Sequence, residues 1–224
     1  LLWSDESGYW SDPFESGILT LPRTCEYYLS MVWNSDGQDD YTYLLKYRYN
    51  ATIPYANSAP YNNGIYIDNS SGSADVIIQG SSKNPNSWVT NNTNAGIFVR
   101  SAGNIKLLNT SLHRNQRDGA TLDNSIALTP KTVTAGNLDI YHSGWVGLRI
   151  TSIGAVTMSN ISSNENGSTG IEVVNCLLES GACKGSGAVS LTGTNAISNN
   201  GEFGLNIYTI GLVTLNNIDA YGNV

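Results

Sequence analysis

Acidic and basic side chains follow a series of glycines at a fixed distance and could form a polysaccharide site. Asp68, Arg100 and Asp123 each lie four residues after a glycine that leads an alternating apolar segment. If these segments are neighbouring strands, Arg100 lies between the two aspartates on the outer face of a sheet. Asp68 and Asp123 would then be acids or calcium ligands, and Arg100 a cation or base.

The same three residues also fit a ladder of opposite charges on an exposed sheet, in which each pair contributes little stability. A catalytic acid pair needs like charges close together, because their repulsion raises one carboxyl pKa. Here each aspartate would instead have an arginine as its neighbour. The alternating signs favour the ladder, so we predict no catalytic residues; polysaccharide cleavage is the alternative function. By the same register, Arg149 faces Glu172.

Two further groups of polar residues were considered as sites. Asp36, Asp39 and Asp40 follow Asn34 around Gly37, and alternating oxygen ligands beside a glycine resemble a fragment of a calcium loop. The glutamate that completes such a loop is missing, so a solvated turn is the alternative and we predict no cofactor. The histidines, His113 and His142, are predicted to be turn or loop residues, outside any metal-binding or triad spacing.

Cysteine usage and charge restrict the setting and the partners. Cys176 and Cys183 lie in a Gly/Ser-rich segment that suits a local disulfide, which predicts an extracellular or cell-surface protein; the alternative is that all three cysteines, Cys25 included, are reduced. The net charge of −7 without a Lys/Arg cluster argues against nucleic acid. No apolar run approaches the roughly 20 residues of a transmembrane helix.

The glycines that precede the charged residues mark an internal repeat. Each leads a segment of the pattern Gly, apolar, any residue, apolar, which has the period of two of a strand with one buried face. The segments begin at Gly64, Gly96, Gly119, Gly147, Gly170 and Gly204. A second alternating segment follows each, with the apolar pairs Val76/Ile78, Ile105/Leu107, Leu138/Ile140, Val156/Met158, Val189/Leu191 and Val213/Leu215.

The spacings of these segments predict a two-coil repeat. Gly96 to Gly147 and Gly119 to Gly170 are both 51 residues, and residues 96–146 align without gaps on 147–197. From the glycine to the second segment the spacing is 9 at Gly96 and 19 at Gly119 and Gly170, which predicts an inserted loop of about ten residues in alternate coils. Asn109 and Asn160 occupy one repeat position and lie in glycosylation sequons, yet a turn or a stack of asparagines explains them more simply.

Such a segment followed by Asn-Ile-Ser-Ser-Asn-Glu-Asn-Gly at 160–167 resembles the right-handed parallel β-helix repeats of bacterial surface proteins, adhesins and fibres, which share the pectin-lyase-like fold. The resemblance covers residues 64–224. It implies an all-β, right-handed parallel β-helix of about six coils. It leaves function open, because that fold carries enzymes, adhesins and structural fibres.

The first part of the chain has a different character. We divide the chain into an aromatic-rich segment, residues 1–62, and the β-helix, residues 63–224. Residues 27–33 and 41–49 are aromatic and β-prone and predict a hairpin with a polar loop. This segment would cap the β-helix or serve as an arm that packs on a neighbouring molecule.

The repeat spacing places the next glycine at 227, beyond Val224, so we expect the final coil to present unpaired backbone and apolar side chains. Either a longer protein has been cut at this point or another copy of the chain packs there. We therefore predict a structural subunit of an extracellular filament or surface appendage that assembles head to tail with other copies. The alternatives are a polysaccharide lyase or hydrolase and a carbohydrate-binding adhesin that contacts surface glycans through Tyr66, Phe98 and Tyr208. The predicted assembly residues are Leu1, Leu2, Trp3, Trp10, Val213, Leu215, Ile218 and Val224.

Overall fold

The computed structural model describes residues 26–35, 38–48, 63–81, 87–179 and 182–224, with backbone alone at 26–35, 38–48, 87 and 177–179. Every regular element in these ranges is a β-strand, which confirms the all-β prediction. None of them forms a helix long and apolar enough to cross a membrane. The abundance of Asn, Ser, Thr and Gly accounts for this, because these residues favour turns and strands over helix interiors.

The glycine-led segments form one six-stranded sheet in which every pair of neighbours is parallel. Its strands are β3 (Ile65–Asn69), β6 (Ile97–Ser101), β8 (Ala120–Asp123), β10 (Leu148–Thr151), β12 (Ile171–Asn175) and β17 (Leu205–Thr209). Their spatial order follows their order in the chain, so each repeat adds one strand to the sheet.

An eleven-stranded sheet carries the rest of each repeat. Its strands are β1 (Glu26–Ser35), β2 (Gln38–Arg48), β4 (Val76–Gln79), β5 (Ser87–Thr90), β7 (Ile105–His113), β9 (Val133–Tyr141), β11 (Val156–Asn164), β15 (Val189–Thr192), β16 (Asn195–Ser198), β18 (Val213–Leu215) and β19 (Ile218–Tyr221). Neighbouring strands of this sheet are parallel with two exceptions: β1 and β2 are antiparallel to each other, and β2 is antiparallel to β4. The chain alternates between two parallel sheets, an arrangement compatible with a parallel β-helix.

Aliphatic side chains stack in rows between the sheets. Val76, Ile105, Val133, Val156 and Val189 are register neighbours on successive strands, and none is more than 1% exposed. Alternate residues of each strand point into this core, as the alternating pattern predicted. Stacking is required because one repeat has too little apolar surface to form a core alone.

One predicted apolar pair belongs to a different segment. The sequence pattern assigned Leu138 and Ile140 to the strand that pairs with Ile105, but Ile105 pairs with Val133, and Leu138 lies opposite Thr110. That prediction was wrong because β9 contains two alternating segments in series, of which the first is less apolar. The spacing from Gly119 to the second strand is therefore 14 rather than 19, and the gapless 51-residue alignment fails there.

The long strands bend at a corner occupied by asparagines. Asn109, Asn137 and Asn160 have φ of 53°, 53° and 52°, a left-handed conformation that Asn tolerates better than most other residues. Asn137 Nδ2 donates to Asn109 Oδ1 at 2.8 Å, and Asn160 Nδ2 donates to Asn137 Oδ1 at 2.9 Å. Asn109 and Asn160 thus belong to one column of asparagines at a bend, with Asn137 between them, but the column is not buried throughout, because Asn160 is exposed. Gly193 and Asn217 occupy the equivalent positions on later strands, also with positive φ.

The glycine before each strand of the six-stranded sheet is required by packing between repeats. A Cβ atom on Gly96 would lie 2.6 Å from the carbonyl oxygen of Gly119, and one on Gly119 would lie 2.5 Å from that of Gly147. These oxygens accept the backbone N–H bonds that join successive strands, so they cannot move away without breaking the ladder. The repeated glycine thus reflects close approach of backbone to backbone.

A small hairpin pairs with neither large sheet. It consists of β13 (Leu177–Glu179) and β14 (Ala182–Lys184), which are antiparallel and lie in the inserted loop between β12 and β15. A disulfide joins Cys176 to Cys183, whose Cα atoms are 4.8 Å apart, and this confirms the predicted bridge. Cys25 lies outside the described residues.

Candidate functional site

Asp68, Arg100 and Asp123, the charged residues predicted to be neighbours, lie on the outer face of the six-stranded sheet. Asp68 pairs in register with Arg100, and Arg100 with Asp123. Each aspartate, however, binds its own turn: Asp68 Oδ1 accepts from the Ser70 N–H at 2.9 Å, and Asp123 Oδ1 accepts from the Ser125 N–H at 2.9 Å. These side chains therefore have structural partners at the ends of their strands, as expected for aspartates in turns.

Two aromatic rings extend the same outer face. Tyr66 and Phe98 stack with centroids 5.3 Å apart and ring planes within 7° of parallel. Burial raises the pKa of Tyr66, the Asp68 carboxylate raises it further, and Arg100 opposes both. A phenol with a raised pKa stays protonated near neutral pH, so it is poorly suited to act as a base.

Arg149 on β10 joins the residues that precede β8 to β12 on its other side. Its Nε donates to Asp118 Oδ2 at 2.9 Å, and its Nη1 bonds to Glu172 Oε2, so the predicted pairing with Glu172 is confirmed. Burial alone would lower the pKa of Arg149, but the hydrogen bonds and charges of Asp118 and Glu172 outweigh burial and raise it. Thr121 Oγ1 also donates to Asp118 Oδ2 at 2.9 Å. The arginine therefore serves as a cross-link within the sheet.

A second group of ionisable side chains, which the sequence analysis did not identify, lies on the outside of the eleven-stranded sheet. His113 Nε2 donates to Asp139 Oδ2 at 3.0 Å, and His142 Nε2 donates to Glu165 Oε2 at 2.8 Å. Glu165 Oε2 also accepts from the Tyr141 hydroxyl at 3.0 Å. Each histidine is thus paired with a carboxylate from the next strand of the sheet.

Aromatic contacts connect these two pairs into one group. The rings of Trp88 and His113 meet edge to face at 4.6 Å, His113 and Tyr141 at 5.9 Å, and Tyr141 and His142 lie 3.9 Å apart. We call this set of residues, together with Asp139 and Glu165, the histidine corner. It crosses β5, β7 and β9 and reaches the residue that follows β11.

Two pKa shifts describe the electrostatics of the histidine corner. The hydrogen bond from His113 lowers the pKa of Asp139 despite the opposing effect of burial. The hydrogen bond to Glu165 raises the pKa of Tyr141, with smaller contributions from burial and from the Glu165 charge, while Arg114 opposes them. Asp139 is therefore ionised and Tyr141 protonated at neutral pH, and both serve as hydrogen-bonding groups in these states.

The layer formed by β17, β18 and β19 leaves apolar side chains exposed. Val213 and Leu215 are 40% and 45% exposed, whereas their register partners Val189 and Leu191 are 0% exposed. Ile218 is partly buried and Val224 is exposed. These four are the described members of the predicted assembly surface; Leu1, Leu2, Trp3 and Trp10 lie outside the described residues.

No group of three or more His, Cys, Asp or Glu side chains among the described residues could hold a metal ion. In the proposed calcium loop, Asp36 lies outside the described residues. Asp39 and Asp40 belong to β2, so the turn between the two strands is shorter than the sequence predicted.

Comparisons with models of protein families, with curated proteins and with solved structures gave no match for this chain.

Proposed function

We propose that this chain is a structural subunit of an extracellular filament or cell-surface appendage, and that copies associate head to tail through the layer β17–β19. The observation that carries this proposal is the exposure of Val213 and Leu215, whose counterparts on β4, β7, β9, β11 and β15 are buried. Surface that is apolar and periodic in this way is typical of interfaces. We also propose that the fold is a right-handed β-helix of the pectin-lyase-like type.

The backbone of this layer favours a partner that supplies parallel strands. β17 and β18 each have only one neighbour among the described strands, so their other edges present N–H and C=O groups in line with the exposed aliphatic rows. A strand that is parallel and apolar on one face would satisfy both features at once, as each internal layer does for the next.

A second copy of the chain offers such a strand at the opposite edge of the same sheet. β1 is antiparallel to β2, and β2 is antiparallel to β4, so β1 runs in the same direction as β4 and as β18. A copy translated along the stack would therefore bring β1 beside β18 as a parallel pair. Such a contact joins two different surfaces, and repeated without closure it builds a filament.

The disulfide and the polar ladders are consistent with an extracellular structural role. Cys176–Cys183 requires an oxidising environment to form and persist. The charged groups of the six-stranded sheet are bonded within the fold, with Arg149 held by Asp118 and Glu172. Polysaccharide cleavage has less support, because Asp68 and Asp123 bond to the turn residues that follow them.

The proposal is tested by light scattering coupled to gel filtration, and by electron microscopy, over a wide range of protein concentration. We expect concentration-dependent, linear assembly, and we expect Leu215→Lys to abolish it because a charge would be placed in the buried contact. Leu128→Lys is the matched control, because Leu128 lies in a loop and is 98% exposed. A wild-type chain that stays monomeric at the highest concentration, or equal assembly of the two variants, would contradict the proposal.

A further inference from the structure

Two members of the histidine corner, His142 and Glu165, and the neighbouring Arg114 occupy backbone positions that most side chains avoid. Nine non-glycine residues in the described part of the chain have positive φ, and six of them are asparagines. The other three are Arg114, His142 and Glu165, with φ of 53°, 55° and 53°. Asn, Asp and His adopt this left-handed conformation more readily than other non-glycine residues, so Arg114 and Glu165 are the two unexpected residues.

These three exceptions lie side by side at one corner of consecutive strands. The Arg114 N–H donates to the carbonyl of Tyr141, and the His142 N–H donates to that of Asn164. Arg114, His142 and Glu165 are therefore neighbours, each at the end of one of three adjacent strands. On the strands before and after these three, the same position is occupied by Asn91 and Asn199, and asparagine is a residue that this backbone conformation favours. The other corner contains only asparagines and glycine at positive φ. The backbone conformation therefore does not explain the presence of Arg114 and Glu165, which points to a role for their side chains.

Stability does not explain them either. His142 and Glu165 have side chains that are 43% and 42% exposed, and ion pairs at such exposure contribute little to folding. The side chains of the corner nevertheless hold one another in place, because Tyr141 and His142 both bond to Glu165 and their rings are in contact. A set of exposed groups held in fixed positions, at a cost in backbone conformation, is typical of a binding site.

The unused atoms of the corner define the ligand that fits it. Both bonds to Glu165 end on Oε2, and no described residue donates to Oε1, which can accept from a ligand. The His142 Nε2 is used by the carboxylate, which leaves Nδ1 for a ligand. Arg114 lies close enough to Tyr141 for its charge to oppose the raised pKa of that phenol, and its guanidinium carries hydrogen-bond donors. The rings of Tyr141 and His142 contribute a surface that is apolar on its faces.

We propose that the histidine corner binds a neutral saccharide, with C–H groups of a sugar ring against Tyr141 and His142 and hydroxyls between Arg114 and Glu165. A hydroxyl both donates and accepts, so sugars match a site that alternates acceptors and donors. The carboxylates of Asp139 and Glu165, on a chain of net charge −7, disfavour an acidic polysaccharide. This site is on the side of the sheet and does not depend on head-to-tail assembly.

The test follows the two imidazole rings by NMR, since His113 and His142 are the only histidines in the chain. Cellotetraose and chitotetraose are the neutral probes, and tetragalacturonate is the anionic one. We expect a neutral probe to shift both imidazole signals. We expect His142→Asn to weaken its binding at least about tenfold, the loss typical of one aromatic contact. The melting temperature of that variant should be unchanged or higher, because Asn suits the backbone conformation at 142.

Phe203→Ala is the control, because Phe203 is an exposed aromatic ring outside the histidine corner, and this variant should bind as the wild type does. Glu165→Asn provides a second variant with a favourable backbone residue and should also lose binding. The inference is overturned if neither neutral probe moves the imidazole signals, or if His142→Asn binds them as tightly as the wild type. Tighter binding of tetragalacturonate than of both neutral probes would overturn the assigned ligand class.

Discussion

Replacing Leu215 by Ala distinguishes an uncovered layer from a covered one. Leu191 and Leu215 are register partners on β15 and β18, yet they are 0% and 45% exposed. Removing a buried leucine side chain costs about 2–5 kcal/mol, of which part is the cavity left behind. At Leu215 the removed volume opens to solvent and nearly half of the side chain is already hydrated, so we expect a cost of about 1 kcal/mol.

Urea unfolding of the dilute protein, followed by circular dichroism, measures both costs. Leu191→Ala should lower the free energy of unfolding by at least about 2 kcal/mol, and Leu215→Ala by about half of that or less. If a second copy covers Leu215, the same variant should raise the concentration needed for assembly by about tenfold, since about 1.4 kcal/mol of contact is lost. Equal destabilisation by the two variants in dilute solution would refute the reasoning, because Leu215 would then be covered within a single chain.

Three other perturbations test separate parts of the structure. Gly119→Ala should destabilise the fold by about 1–3 kcal/mol in urea unfolding, because its Cβ would press on the Gly147 carbonyl; an unchanged midpoint would contradict the packing argument. His113 lowers the pKa of Asp139, so Asp139 contributes stability above the ordinary Asp pKa of about 3.9 that is lost as the pH falls through its lower native value. Asp139→Asn should therefore flatten the pH dependence of the free energy of unfolding below about pH 4, and an unchanged slope would count against the His113 bond. Reduction of Cys176–Cys183 should make residues 177–184 the first site of limited proteolysis, located by mass spectrometry, because β13 and β14 pair only with each other; cleavage that starts elsewhere would contradict this.

The strands of the six-stranded sheet could be predicted because their signals are local. Gly96 and Gly119 recur since a Cβ at either position would strike the next backbone. The alternation that follows each glycine identifies the buried face. Register then follows from aligning the glycines, which correctly placed Arg100 between Asp68 and Asp123.

The histidine corner could also have been predicted by applying the glycine alignment to the residues that precede each glycine. Gly119 and Gly147 are 28 residues apart, and so are His113 and Tyr141. Gly147 and Gly170 are 23 residues apart, and so are His142 and Glu165. Glycine spacing thus predicts which residues become neighbours, provided that the third segment of each repeat is recognised. Its weak apolar pattern and its bend at Asn137 concealed it.

One residue in each repeat determines whether the following turn is short or carries an inserted loop. On the compact repeats the fifth residue after the glycine is Ser or Thr, and its hydroxyl accepts from a glycine N–H two residues later. These bonds are Gly103 to Ser101 at 3.0 Å, Gly154 to Ser152 at 3.1 Å and Gly211 to Thr209 at 2.9 Å.

Where that position is Asn, the connection is longer; at Asn69 and Asn124 the side-chain amide donates across that connection, whereas at Asn175 it donates to the Gly154 carbonyl of the neighbouring repeat. Asn69 Nδ2 reaches the Ala74 carbonyl at 2.7 Å, and Asn124 Nδ2 reaches that of Lys131 at 3.0 Å. The Ser or Thr hydroxyl accepts from the second following residue and so closes a tight turn, whereas the longer Asn amide can bond across a wider loop. Loops of different length can therefore be accommodated at this turn without disturbing either sheet. At the corner that contains Arg114, His142 and Glu165 the backbone conformation is constant, and only the side chains differ between repeats.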